Sequence, residues 1–168
     1  MAVVVEEFLQ AFLLILPAML ANATPVVFGG SRPIDGGRVF LDGRRLLGDG
    51  KTWEGLASGI AAGSLLGGLL AYALGDPLYA YAGVFSSLGA MLGDLAASFV
   101  KRRLGLERGA PAPLLDQLNF YVGALALLYV AGFRFTLSVV IALGLLSAIA
   151  HLAANVVAYL LRLKSVPW

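Results

Sequence analysis

The chain has 168 residues, of which 60% are hydrophobic and 13% charged, with a net charge of +2 and a mean hydropathy of +0.87. This balance argues against an ordinary soluble domain. Because the chain contains no cysteine, disulfides and thiolate zinc sites are excluded, and a bound metal ion would need oxygen ligands or the single histidine, His151.

Apolar stretches of about 20 residues, the length needed to cross a bilayer, predict an all-α integral membrane protein with five transmembrane helices. The whole chain, residues 1–168, is expected to form a single domain. We interpret the first stretch as a retained helix rather than a signal peptide, because Glu6 and Glu7 lead it and its apolar run continues past Pro17. The predicted spans cover about residues 3–28, 55–74, 78–102, 116–132 and 136–162, and loops 29–54 and 103–115 lie on one side.

The basic residues indicate the orientation of these spans. Of the 12 Lys and Arg residues, 11 fall in the two loops and the C-terminal tail or at the ends of the spans next to them, and Arg134 alone lies on the opposite side. Because short cytoplasmic loops are enriched in Lys and Arg, the N-terminus is predicted outside and the C-terminus in the cytoplasm. The sequence therefore predicts a multi-pass cell-membrane protein whose loops, and any site they form, face the cytoplasm.

The second span carries a small residue at every fourth position, at Gly55, Gly59, Gly63 and Gly67. This spacing predicts a groove where another helix backbone approaches closely. The partner is either another helix of the same subunit or a second copy in a homodimer, and the sequence leaves both open.

The loop before this span ends in a run that suits an anion, residues 48–55. It is not a phosphate loop of the Walker type, because Arg45 stands where that motif needs a glycine. Gly50 and Lys51 nevertheless offer backbone N–H groups and a positive charge near the start of a helix, which would suit a phosphate-bearing ligand. Asp49 and Glu54 are alternatively caps of that helix.

Polar residues of several spans fall at one depth near the cytoplasmic side. Asp94, Ser98 and either Lys101 or Arg102 share one face of the third span, because their spacings correspond to single helical turns. The other members of this set are Asn22, Thr24, Asp116, His151 and Asn155. Ionisable groups in membrane spans are costly and commonly mark a site, although helix caps and interfacial side chains are the alternative, and His151 could simply bond a neighbouring helix.

The motifs at these boundaries resemble those of the archaeal CDP-archaeol synthases, relatives of the CDP-diacylglycerol synthases, over essentially the whole chain. The motifs are Ala21-Asn22-Ala23-Thr24-Pro25, Arg32-Pro33-Ile34-Asp35-Gly36-Gly37, the run from Gly48 to Gly55, Gly93-Asp94-Leu95 with Ser98, Lys101 and Arg102, and Leu115-Asp116-Gln117-Leu118. Two departures from the wider pattern are the stretch 110–114, where larger relatives carry Pro-Gly-His-Gly-Gly, and Asn119, where a second acid is expected.

The resemblance implies transfer of the cytidylyl group of CTP to 2,3-bis-O-geranylgeranyl-sn-glycerol 1-phosphate, with Mg²⁺ as the cofactor. The expected partners are CTP, an ether-lipid phosphate and the bilayer, without nucleic acid and with a homodimer left open. Asp94 and Asp116 are the expected metal ligands and, with Lys51, the catalytic residues. The expected nucleotide-binding residues are Asn22, Thr24, Asp49, Gly50, Lys51, Thr52, Glu54, Ser98, Lys101 and Arg102.

The charges of the two substrates explain this choice of residues. Cations must bridge two anionic reactants, whereas no general base is needed, because a phosphomonoester is already ionised near neutral pH. Two alternatives remain. One is a small transporter or channel subunit that uses Asp94 as an ion relay. The other is a CDP-alcohol phosphotransferase: Asp42-Gly43 resembles the start of that family's motif, but the later aspartates of the motif are missing from this chain.

Overall fold

The structure, a computed structural model, describes residues 2–166. Within this range the chain is helical apart from its loops. The helices are α1 (Ala2–Ala23), α2 (Pro25–Phe28), α3 (Trp53–Leu74), α4 (Leu78–Arg103), α5 (Leu115–Val130) and α6 (Leu137–Leu160). The expectation of an all-α membrane protein is confirmed.

Four segments of the described range are long and apolar enough to cross a membrane. They are Val5–Phe28, Trp53–Leu74, Leu78–Arg103 and Leu137–Leu160. The predicted fourth span corresponds to α5, a shorter apolar helix of 16 residues. The multi-pass architecture is therefore confirmed, whereas five complete crossings stay a prediction.

The sequence accounts for where the helices begin and end. The first predicted span divides into α1 and α2 beside Thr24, because Pro25 has no N–H with which to continue the helical ladder. α3 begins after Thr52, whose hydroxyl oxygen accepts a hydrogen bond from the Gly55 N–H at 3.1 Å. α3 ends at Gly75, whose positive φ of 70° reverses the chain.

The glycine face of α3 packs inside the subunit. Gly59 lies against Met91 of α4 and a backbone oxygen of α1, and a Cβ at Gly67 would come within 2.6 Å of the Gly83 Cα. Of the two partners that the sequence left open for this groove, the structure supplies the helices of the same chain. The groove therefore gives no support to the possible homodimer.

A second close approach joins α4 to α5. A Cβ at Gly93 would collide with the Asn119 carbonyl oxygen, and Cβ atoms at Gly89 and Gly123 would each collide with the other residue's carbonyl oxygen. Only glycine permits this separation of the two backbones. This contact helps to set where Asp94 and Asp116 lie relative to each other, because Gly93 precedes Asp94 and Asn119 lies one turn beyond Asp116.

The connections place all long loops at one end of the helical bundle. α5 runs from that end to the opposite one, where the Thr136 N–H donates to Glu7 of α1 at 2.9 Å. α6 then returns. Residues 29–52, 104–114 and 161–166 consequently meet at the same end, which we call the loop end.

Candidate active site

A cavity of about 990 Å³ opens between the helices at the loop end. α1, α4, α5 and α6 line it, together with both loops and the C-terminal tail. Asp94 and Asp116 both line it. The two acids predicted to act together therefore share one space, which is large for a small-molecule site.

The first loop is held in shape by a buried carboxylate, that of Asp35, which is 6% exposed. It accepts hydrogen bonds from the Arg45 guanidinium, at 2.6 and 3.2 Å, and from three backbone N–H groups, those of Gly37, Leu47 and Gly48. Burial alone would raise the pKa of Asp35, but these donors outweigh it and hold the pKa well below its usual range. Asp35 thus holds the backbone at Gly48, where the anion-binding run of residues 48–55 begins.

Lys51 reaches from this loop into the cavity. Its Nζ donates to Asp94 Oδ2 at 2.6 Å, and both side chains are largely buried. The Lys51 backbone oxygen accepts from the Ile34 N–H at 2.8 Å, so the loop backbone positions the side chain. The contact links the anion-binding run to the candidate metal ligand on α4.

A second lysine and aspartate pair also lines the cavity. Lys101 Nζ donates to both carboxylate oxygens of Asp116, at 2.9 and 3.0 Å. Asp116 Oδ2 also accepts from the Ala112 N–H at 2.8 Å. This hydrogen bond ties the second loop to the first turn of α5.

The donors around these acids suit a hard cation. Among residues 2–166, no three His, Asp or Glu side chains cluster as a metal site. Magnesium, however, commonly uses only one or two carboxylates, with water and substrate phosphates completing its shell. Asn119 adds a buried amide oxygen that accepts no hydrogen bond from any residue of this range. Asp94, Asp116 and the Asn119 oxygen thus form a donor set that fits Mg²⁺.

His151 and Asn22 meet at the cavity wall. The Asn22 side-chain nitrogen lies 3.0 Å from His151 Nδ1, and the imidazole stacks on Phe120 with ring centroids 5.7 Å apart. If the amide donates, Nε2 carries the imidazole proton. His151 of α6 therefore hydrogen-bonds a neighbouring helix, α1, which is one of the two roles that the sequence left open for it.

The remaining predicted nucleotide-binding residues divide into two groups. Asp49, Gly50, Ser98, Lys101 and Arg102 line the cavity, as Asn22 and Lys51 do.

Thr24, Thr52 and Glu54 make contacts elsewhere. Thr24 donates to the Leu20 carbonyl oxygen, Thr52 to that of Gly29, and Glu54 pairs with Arg32 at 2.6 Å. These three side chains support the chain around α2 and the start of α3. Neither Asp49 nor Glu54 is the cap of α3, because Thr52 fills that position and Asp49 pairs with Arg45 at 2.7 Å.

The sequence did not identify Lys164 as part of the cavity. This residue follows α6, lines the cavity and donates from Nζ to Asn155 Oδ1 at 2.9 Å. Its only signal in the sequence was a positive charge in the tail.

Positive charge predominates in the cavity wall. In the part of the chain that the structure describes, seven Lys and Arg side chains and four Asp and Glu side chains line it. Low-dielectric walls strengthen the field of such an excess. The arrangement favours a polyanion next to one or more oxygen-bound cations.

A family model described as CDP-archaeol synthase, CarS-like, matches residues 4–168. Among similar curated proteins, the CDP-archaeol synthase of Aeropyrum pernix is 58% identical over 164 residues, covering 98% of this chain and 94% of that protein. The CDP-archaeol synthase of Hyperthermus butylicus is 54% identical over 162 residues, covering 95% of this chain and 96% of that protein.

A solved structure is similar as well. It is described as "Structural insight into an intramembrane enzyme for archaeal membrane lipids biosynthesis" and superposes with a TM-score of 0.85 at 58% identity. The match covers 89% of this chain and 94% of that chain.

Proposed function

The chain belongs to the CDP-archaeol synthase family, and from this premise we propose that it transfers the cytidylyl group of CTP to 2,3-bis-O-geranylgeranyl-sn-glycerol 1-phosphate. The products are CDP-archaeol and pyrophosphate, and the reaction requires Mg²⁺. The chain is thus a membrane-embedded cytidylyltransferase of lipid synthesis. The transporter and phosphotransferase alternatives lose their basis with this family assignment.

One observation carries the proposal: Asp94 and Asp116 share a single cavity with a surplus of cationic side chains. Both substrates are anions, so their approach is opposed by charge repulsion. A site that holds divalent cations on carboxylates and surrounds them with Lys and Arg removes this opposition. The same arrangement has no evident use in an ion relay that never binds a nucleotide.

Asp94, Asp116 and the Asn119 amide oxygen would hold the metal. When bound, Mg²⁺ supplies charge neutralisation between the phosphates and aligns the attacking and leaving oxygens. Asn119 stands where a second acid was expected, but its amide oxygen can still serve as a hard metal ligand, without adding a negative charge.

The chain's own cations bind the triphosphate and stabilise the departing pyrophosphate. Lys51 pairs with Asp94 at 2.6 Å, and Lys101 pairs with Asp116 at 2.9 Å. Arg102 lines the same wall, and its buried Nε donates to no other residue of the described chain. These donors line the cavity in which charge develops on the leaving group, although Lys51 and Lys101 would first have to exchange an aspartate for a phosphate oxygen.

No residue has to remove a proton from the nucleophile. The lipid phosphate is mostly ionised near neutral pH, because its second pKa is about 6. His151 is consequently free for positioning. Asn22 and the loop from Asp49 to Lys51 are the remaining candidates for contacts to the nucleotide.

Label transfer tests the function directly. The purified chain in detergent receives CTP labelled in the α-phosphate, Mg²⁺ and the lipid phosphate, and the label is expected in the organic phase. A control lipid lacking the phosphate is expected to stay unlabelled. Absence of label from the organic phase with the complete mixture would overturn the proposal.

A further inference from the structure

The C-terminal tail turns back over the cavity. After α6 ends at Leu160, Arg162 adopts a left-handed φ of 59°, unusual for a residue other than glycine. The N–H groups of Leu163 and Lys164 then both donate to the Ala158 carbonyl oxygen, at 2.8 and 3.3 Å. As a result, Lys164 lines the cavity instead of continuing into the solvent.

A buried amide orients the Lys164 ammonium. Asn155 is only 8% exposed, and its Oδ1 accepts from Lys164 Nζ at 2.9 Å. Burial lowers the pKa of Lys164, and its charge interacts with those of Asp116, Lys51 and Lys101. The ammonium therefore lies within electrostatic reach of both lysine and aspartate pairs.

The wall around Lys164 differs from the wall around Lys51. Lys51 lies in a loop with Gly48, Asp49 and Gly50, which also line the cavity and offer backbone N–H groups. Lys164 contacts the polar Asn155, but the other lining residues from the end of α6 and from the tail are apolar, namely Val157, Ala158, Leu161, Leu163 and Val166.

Two residues of this apolar wall are well exposed, and one of them belongs to a candidate membrane span. Val157, on a helix long and apolar enough to lie in the bilayer, is 54% exposed, and Leu161, directly after that helix, is 64% exposed. A ligand on this side meets apolar surface continuous with the membrane and one cationic side chain at its polar end.

We propose that Lys164, oriented by Asn155, binds the phosphate of the lipid substrate, while Lys51 serves the triphosphate of CTP. This assignment rests on the proposed function, because it divides the two anions of that reaction between the two sides of one cavity. An amphiphile with a single phosphate head and apolar chains matches the Lys164 side. A nucleoside triphosphate matches the loop side with its backbone N–H groups.

Steady-state kinetics of matched variants test the assignment. Lys164→Gln is expected to raise the KM for the lipid phosphate about 10- to 100-fold, the size of one lost hydrogen bond to a charged group, and to leave the KM for CTP unchanged. Lys164→Arg, which keeps the charge, is expected to recover most of the loss. Lys51→Ala is expected to give the opposite split, with the larger rise for CTP.

Arg162→Asn is the matched control, because it removes a positive charge two residues away and asparagine tolerates the left-handed turn. It is expected to behave like the wild type. Equilibrium binding of labelled CTP without lipid provides a second readout, which Lys164→Gln should leave unaltered. If Lys164→Gln does not fold, Lys164→Met takes its place under the same criteria.

The assignment is overturned if the lipid KM of the folded variant stays unchanged, if both KM values rise equally, or if CTP binding weakens. These outcomes leave the proposed function standing as long as the wild type labels the lipid. If the wild type itself transfers no label, the function fails first and the assignment with it.

Discussion

Both cavity aspartates accept hydrogen bonds from lysine ammonium groups, at 2.6 Å for Asp94 and 2.9 Å for Asp116. Carboxylates removed from water need such partners, because an unpaired buried charge is strongly destabilising. The two pairs therefore offset the cost of placing two acids inside the helical bundle. Under the proposed function, a divalent cation held by the carboxylates would leave the ammonium groups available to phosphate oxygens.

Asp94→Asn is expected to abolish metal-dependent turnover, with a loss of more than about 100-fold. The fold should persist, because an amide oxygen still accepts from Lys51. Thermal unfolding in detergent measures ligand binding independently of turnover. Mg²⁺ with CTP should raise the Tm of the wild type but not that of the variant, since a ligand stabilises only the state it binds.

Asp76→Asn is the matched control for this substitution. Asp76 accepts from the Leu78 N–H at 2.9 Å at the opposite end of the bundle, and asparagine caps a helix equally well. It is expected to keep both the activity and the ligand-induced rise in Tm. Full activity of Asp94→Asn would remove the assignment of Asp94 as a metal ligand.

At this scale the sequence identified the residues whose chemistry is conspicuous in an apolar chain. Asp94, Asp116 and Lys51 stand out because a charge near a membrane span is rarely accidental. Lys164 did not stand out, because its position depends on a left-handed turn at an arginine, for which no sequence pattern exists. Thr24, Thr52 and Glu54 were predicted to bind the nucleotide, but their side chains contact backbone oxygens or Arg32.

Among the elements, the contact between α4 and α5 decides how the two acids are placed. We expect Gly93→Ala to force these helices apart, because its Cβ would collide with the Asn119 carbonyl oxygen. Overpacking of this kind costs about 1–3 kcal/mol, more than the roughly 1 kcal/mol that alanine gains over glycine in a helix. Both Tm and kcat should fall.

Gly68→Ala provides the comparison for this variant. A Cβ at Gly68 meets nothing within 4 Å, so the alanine should keep activity and raise the Tm slightly. If Gly93→Ala matched the wild type in Tm and kcat, the close approach would have no role in placing Asp94.

The loop of residues 29–52 depends on Asp35. Asp35→Asn is expected to lower the free energy of unfolding by about 1.5–3 kcal/mol, because the buried group loses its charge-assisted bond to Arg45. Since folding lowers the pKa of Asp35, this contribution is fully present above the unfolded pKa of about 3.9 and is lost as the pH falls further.

Unfolding measured between neutral and acidic pH checks this sign. The difference in Tm between the wild type and Asp35→Asn should be constant above about pH 5 and shrink below about pH 4. A difference that grows on acidification would contradict the role assigned to Asp35.

Hydropathy was sufficient to identify the elements themselves, since the predicted spans differ from α3, α4 and α6 by at most two residues at their ends. It could not tell which neighbour would cover the glycine face of α3, because periodicity describes a surface and not its partner. Hydropathy also predicted one span over residues 3–28, whereas Pro25 divides this stretch into α1 and α2.

Considered as a whole, the molecule concentrates its basic loops at one end, which we expect to face the cytoplasm. The absence of cysteine from the natural chain makes single-cysteine variants clean reporters of this orientation. Leu41→Cys lies at the loop end, where Leu41 is 95% exposed, and Leu137→Cys lies at the other end, where Leu137 is 74% exposed.

A membrane-impermeant maleimide should label Leu41→Cys only in inside-out vesicles and Leu137→Cys only in right-side-out vesicles. Solubilised samples of both variants should label completely, which controls for reactivity. The reverse pattern would place the cavity outside the cell and make CTP an implausible substrate.

The short α5 also affects the lipid around the protein. Its 16 residues extend only about 24 Å, against a hydrocarbon core of about 30 Å. If α5 crosses the bilayer, as the sequence predicts, we expect the bilayer to be thinner beside it, a form of hydrophobic mismatch. Headgroups next to Asp116 would sink below their level elsewhere in the leaflet, so membrane thickness becomes a variable that sets how readily a lipid reaches the enzyme.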